Sequence, residues 1–123
     1  MEFMNKKIDI FKAALTETNE LLLETEQDIN GLKANGQMLV DSDNLAFVYI
    51  AESNDEYTYI VLSEGIWAAM SQALAAGADA YLANGPGRLH LPQFREELGY
   101  LIENIKGNSN YGDEMVAKVE AAF

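Results

Sequence analysis

Apolar and polar positions are most sharply ordered between Leu45 and Leu62, where two apolar runs flank a polar one. The runs L-A-F-V-Y-I-A (45–51) and Y-T-Y-I-V-L (57–62) are dense in β-branched and aromatic residues, which suit a pleated surface. Glu52 to Glu56 between them is wholly polar, a place to reverse direction. The pattern predicts an antiparallel hairpin. With Ser53, Asn54 and Asp55 as the loop, Glu52 faces Glu56, Ala51 faces Tyr57, Tyr49 faces Tyr59, Val48 faces Ile60 and Phe47 faces Val61. That register gathers Phe47, Tyr49, Tyr57, Tyr59 and Val61 on one face, and Val48, Ile50, Ile60 and Leu62 on the other. Two apolar faces place the hairpin in the middle of a sheet covered on both sides.

Periodicity is less decisive before the hairpin. Ile8, Phe11, Leu15, Leu22 and Ile29 fall at spacings compatible with one long amphipathic helix. Against it, Ile8 and Ile10 alternate with Lys7, Asp9 and Lys12, Leu21-Leu22-Leu23 is a short run, and Asn30-Gly31 and Asn35-Gly36 are turn dipeptides. The alternation favours short strands near 6–15, 20–26, 28–33 and 37–40, with the helix as the competing reading.

After the hairpin the helical period takes over. Ser63 is a suitable N-cap, Glu64 sits in the first turn, Ile66, Met70, Ala73 and Leu74 form a stripe beside Trp67, and Gly77 can end the helix. Trp67 is read as a packing residue. Residues 78–83 and 88–91 read as two short strands around Asn84-Gly85-Pro86-Gly87, whose glycines serve a turn, because neither a dinucleotide fingerprint nor a Walker lysine follows. Beyond Pro92, the residues Phe94, Leu98, Leu101, Ile102 and Ile105 make the cleanest stripe in the chain, and Gly107 can close that helix. Asp113 and Glu114 open a final helix whose Met115, Val116, Val119 and Phe123 can cover the previous one. The expectation is a single α+β domain over 1–123. Its mainly antiparallel sheet centres on the 45–62 hairpin and packs with helices near 64–76, 93–106 and 113–122; residues 1–5 form a loose N-terminal extension.

Charge changes the picture of what such a domain can bind. The net charge is −12, and the eight Lys and Arg residues are scattered without a basic stripe. Phosphate backbones and anionic lipids are repelled, so nucleic acid and membrane are not expected as partners. A basic protein partner, a second copy of the chain, or a nucleic-acid-binding protein deceived by an acidic mimic remain. The chain has no cysteine, which excludes disulfides, thiolate catalysis and cysteine-ligated metal centres. No apolar run reaches the roughly 20 residues of a membrane span or forms a signal-peptide core, which fits a cytoplasmic protein.

Two segments, Leu39-Val40-Asp41-Ser42-Asp43-Asn44-Leu45 and the run E-L-G-Y-L-I-E-N-I-K-G-N-S-N-Y-G-D-E from Glu97 to Glu114, carry a resemblance. Together they resemble the YjbL-like family, small acidic uncharacterised proteins of Bacillus-type bacteria, from about Leu39 to the C-terminus and more loosely before it. Lys106 and the glycine-rich turn at 84–87 depart from the family pattern. The resemblance implies a cytoplasmic bacterial protein and favours strands in the N-terminal third. It implies no activity, cofactor or catalytic residue.

Candidate chemistry is sparse. Asp41-Ser42-Asp43-Asn44 is similar to the start of a calcium loop, but Leu45 and Ala46 stand where a ligand and the obligatory glycine belong, so an Asx turn explains it. His90 is the only histidine, and no motif brings a carboxylate or nucleophile to it. Adjacent acidic pairs such as Asp55-Glu56 and Glu96-Glu97 diverge on regular structure. No catalytic residue, metal ligand or cofactor is therefore assigned. The best ligand site is the G-N-S-N-Y-G loop, in which Asn108, Asn110, Tyr111 and Gly112 precede a helix N-terminus able to hold a small anion; a helix–helix corner explains the same residues. Three functions are expected in this order: a non-enzymatic binding or regulatory module acting through protein contacts, with a homodimer as one form; a small-molecule site or weak hydrolase using the 107–112 loop with His90; and an acidic nucleic-acid mimic.

Overall fold

The computed structural model describes residues 6–123, so the expected extension at 1–5 lies outside the described residues. Eight strands and three helices follow one another: β1 Lys6–Asp9, β2 Lys12–Leu15, β3 Glu20–Glu24, β4 Lys33–Asp41, β5 Ala46–Ser53, β6 Glu56–Ser63, α1 Trp67–Ala76, β7 Asp79–Asn84, β8 Gly87–Leu91, α2 Phe94–Ile105 and α3 Asp113–Ala122. The α+β class holds, with one domain and strands in the N-terminal third. The strands form two four-stranded sheets rather than one, in the orders β1-β6-β5-β4 and β2-β3-β7-β8. Each is mixed, because β1 runs parallel to β6 and β3 parallel to β7.

The expected strand at 6–15 is therefore two. The chain leaves the first sheet after Asp9, crosses at Ile10-Phe11, and enters the second as β2. The expected strand at 28–33 is a turn for most of its length: Asn30 N–H donates to Asp28 Oδ1 (2.9 Å), Leu32 N–H to the Ile29 carbonyl (3.1 Å), and Gly31 is left-handed at φ 77°. Asn35-Gly36, read as a turn, lies inside β4, where the register with β5 shifts between Ala34 and Met38. Gly36 has φ 93°, so the same left-handed conformation makes a bulge here instead of a reversal.

The hairpin forms where expected, one register step away. Asn54 and Asp55 are both left-handed (φ 51° and 65°), as a tight two-residue loop demands, and Ser53 pairs with Glu56. Phe47 then faces Leu62, Tyr49 faces Ile60 and Ala51 faces Thr58 on one side; Val48 faces Val61, Ile50 faces Tyr59 and Glu52 faces Tyr57 on the other. Aromatic and aliphatic residues are mixed on both faces, because a loop shorter by one residue re-pairs every position.

The first of these faces enters the core. Phe47, Tyr49, Ala51, Ile60 and Leu62 join Leu21, Leu23, Ala80 and Leu82 of the second sheet and Trp67, Met70, Phe94, Leu98, Ile102, Ile105, Met115 and Val119 of the helices. Trp67 is 1% exposed, contacts the rings of Phe47 and Phe123 at 5.3 and 5.8 Å, and donates its indole N–H to the Leu62 carbonyl at 3.0 Å. The helix that carries it starts later than expected. Residues 64–66 form a 3-10 turn and the Ser63 hydroxyl makes no capping bond. Gly77 ends α1 as expected, left-handed at φ 65° and donating to the Ala73 and Leu74 carbonyls.

Candidate binding face on the first sheet

Alternation on β1, β4, β5 and β6 dictates a second face, which lies outside the main core cluster although Ala46, Val48 and Ile50 on it are buried. Lys7 pairs with Tyr59 and Asp9 with Val61 across β1 and β6, while Leu39 pairs with Val48 and Asp41 with Ala46 across β4 and β5. These residues share the side of the sheet opposite Phe47 and Tyr49. The expectation that both faces are covered holds along β5, where Ala46, Val48 and Ile50 are buried on this side too, and fails towards the margins, where Leu39 is 43% exposed and Tyr57, at the hairpin end, 51% exposed. A groove of about 730 Å³ runs over this face, floored by Leu39, Val48, Tyr59 and Val61 and rimmed by Lys7, Asp9, Asp41 and Asp43.

Local chemistry fixes the rim. Asp41 accepts from Asn44 N–H (3.3 Å) and from Asn44 Nδ2 (2.9 Å), the Asx turn expected of D-S-D-N, and Leu45 N–H closes it on the Ser42 carbonyl (3.3 Å). Asp9 is held at the opposite side by its N–H, which donates to Gln27 Oε1 at 2.8 Å. Three carboxylates against one ammonium leave the rim negative, around a floor that is apolar except for the Tyr59 hydroxyl. An apolar floor of this kind can contribute contact area, and an acidic rim disfavours anionic groups.

The residues singled out in the sequence lie elsewhere. In the 107–112 corner, Asn108 Oδ1 accepts from Asn110 N–H (3.1 Å) and Asn108 Nδ2 donates to the Asn104 carbonyl (3.2 Å). Tyr111 is half-buried against the core, and Gly112, at φ 92°, leads into α3. Gly107 N–H donates to the Glu120 carboxylate at 2.9 Å, and Gly107 and Ser109 border a cleft of about 320 Å³ with Asp113, Val116, Ala117 and Glu120. His90 is exposed on the outer face of the second sheet, 5.1 Å from the Tyr81 ring, and lines a different cleft with Asp79, Gln93 and Glu96. The convergence of His90 with Asn108 or Tyr111 that a hydrolase needs is not formed by these clefts. Among the described residues, no three His, Asp or Glu side chains cluster closely enough to hold a metal ion.

The sequence reading missed the groove. Its signal was present in the alternation Lys7-Ile8-Asp9, but it becomes readable only once β1 is known to pair in parallel with β6.

Residues 8–123 match the model of a family of unknown function, UPF0738. The chain belongs to that family. It is 48% identical to a UPF0738 protein of Bacillus velezensis and 44% identical to one of Bacillus licheniformis, in each case over 98% of this chain and 99% of the relative. It is 42% identical to the UPF0738 protein YjbL of Bacillus subtilis over the same shares. The YjbL-like resemblance is thereby shown, and it extends over nearly the whole chain rather than mainly from Leu39. No solved structure matches. In this UPF0738 member no helix among the described residues is long and apolar enough to cross a membrane.

Proposed function

We propose that this UPF0738 protein is a non-enzymatic cytoplasmic binding module acting through protein contacts, and that the outer face of its first sheet docks a partner segment bearing apolar side chains and positive charge. The groove over Leu39, Val48, Tyr59 and Val61, ringed by Asp9, Asp41 and Asp43, carries this reading. Its apolar floor distinguishes the module from a pure charge mimic, whose binding is screened away at high salt. The test is capture of partners from Bacillus lysate by the parent chain and by a Leu39→Asp/Val61→Asp variant. The parent should hold a basic partner at about 0.5 M salt, where the Debye length falls to roughly 4 Å, and the variant should lose it. Equal capture by both chains would sink the docking face, and a partner lost at that salt would favour the mimic.

Self-association is a second reading, favoured by one observation. Phe11 is 60% exposed beside β2, an edge strand, and the adjoining groove of Ala13, Leu15, Ile66 and Ala69 is lined by no carboxylate. On so acidic a chain, that is where a second copy meets least repulsion. Light scattering should then report a dimer that Phe11→Asp converts to monomer. The 107–112 corner, with Asn108, Asn110, Tyr111 and Gly112 beside the Gly107–Glu120 cleft, stands as the small-molecule alternative.

A further inference from the structure

Asparagine precedes glycine at Asn30-Gly31, Asn35-Gly36 and Asn84-Gly85. Glycine has no side chain to shield its own amide nitrogen, which can therefore reach the carboxamide carbon of the residue before it. The fold treats these pairs differently. In β4 the Asn35 carboxamide is held at both ends: Nδ2 donates to the Glu52 carboxylate at 2.9 Å, and Oδ1 accepts from Gln37 N–H at 3.3 Å. The nitrogen placed to attack it, that of Gly36, is buried and donates to the Tyr49 hydroxyl. At the end of β7, Asn84 Nδ2 donates to the Thr25 carbonyl at 2.9 Å, and Asn84 pairs with Gly87 across the turn. Asn30 and Gly31 are both exposed, outside any strand or helix. Among the described residues neither the Asn30 carboxamide nor Gly31 N–H has a hydrogen-bond partner. The turn closes around them instead, through Asn30 N–H on Asp28 and Leu32 N–H on the Ile29 carbonyl.

We propose that Asn30 is a site of spontaneous deamidation, and that the fold protects Asn35 and Asn84 from the same reaction. The Gly31 nitrogen bonds to Asn30 Cγ and gives up its proton, the Cγ–Nδ2 bond breaks, and the amide group departs with a proton as ammonia. Water then breaks either C–N bond of the resulting succinimide, leaving an aspartyl or an isoaspartyl carboxylate and releasing one proton. Both products add a negative charge. The isoaspartyl form also moves the side-chain methylene into the backbone of the loop that braces β1, where Gln27 holds the Lys7 carbonyl at 2.7 Å and Asp9 N–H at 2.8 Å. Lys7 and Asp9 in turn border the groove on the outer face of the first sheet, so the modification falls beside that face.

Ageing the full chain in warm, mildly alkaline buffer, with tandem mass spectrometry of its peptides at intervals, tests this. In the folded chain Asn30 should be lost severalfold faster than Asn35 or Asn84, with the mass gain of an amide turned into an acid and two products separable by chromatography. The same ageing in guanidinium chloride removes the fold, and all three asparagines should then convert at comparable rates. A folded chain in which Asn30 survives as long as Asn35 and Asn84, or in which either of those leads, overturns the proposal. Equal precedence of Asn30 in guanidinium would assign the selectivity to the neighbouring sequence and overturn the protection by the fold.

Discussion

Gly36→Val should destabilise the chain by about 2–3 kcal/mol in urea denaturation, with Gly36→Asn costing distinctly less. Gly36 is buried in the β4 bulge at φ 93°, a conformation that a β-branched residue adopts only under strain and that asparagine tolerates. A side chain there also meets the Gln93 amide, but that amide ends a flexible chain and can swing aside, so the backbone sets the cost. Gln93→Ala should therefore rescue Gly36→Val only slightly. Equal stabilities for the valine and asparagine variants would show that the bulge relaxes and that the φ assigned to Gly36 is wrong.

Tyr49→Phe is the second large effect, with a pH signature of its own. The Tyr49 hydroxyl donates to the Pro92 carbonyl at 2.8 Å and accepts from Gly36 N–H, joining the bulge, the hairpin and the entry to α2. Removing it leaves buried backbone groups unpaired, worth about 1–3 kcal/mol at neutral pH. Burial pushes the Tyr49 phenol from its ordinary 10 up to about 12, with the Gly36 bond lowering it and the Glu97 charge adding to the rise. Between those values the unfolded chain releases the proton and the folded chain keeps it. The contribution is thus fully present below about pH 10 and lost as pH rises through about 12, amounting to about 2–3 kcal/mol. The stability difference between parent and Tyr49→Phe should shrink across that window. A difference constant to pH 12 would mean that Tyr49 ionises freely in the fold.

The elements easiest to read were those whose determinants are local. The stripe of Phe94, Leu98, Ile102 and Ile105, the αL glycine at Gly77 and the polar reversal at Asn54-Asp55 each carry their signal within a few residues, and each stands where expected. What escaped reading was pairing at a distance. Nothing near Lys6–Asp9 states that it lies parallel to β6, and nothing near Glu20–Glu24 states that β7 is its neighbour, so two sheets read as one. The hairpin register turned on whether Ser53 belongs to the loop, a one-residue choice that decides which side chains face solvent. The groove on the outer face inherits both difficulties, because its floor comes from that register and one side of its rim, Lys7 and Asp9, from the parallel strand. The 107–112 corner was legible as a corner, with Asn108 bonding the backbone on either side.

A photo-crosslinking residue, p-benzoylphenylalanine, placed at position 39 on the open sheet face or at position 100 on the exposed surface of α2, tests the docking face most directly inside Bacillus cells. Leu39 is predicted to give one discrete adduct with a basic protein, abolished by Val61→Asp, while Tyr100, 66% exposed, gives none. Adducts of equal yield from both positions, or none from position 39, would contradict it.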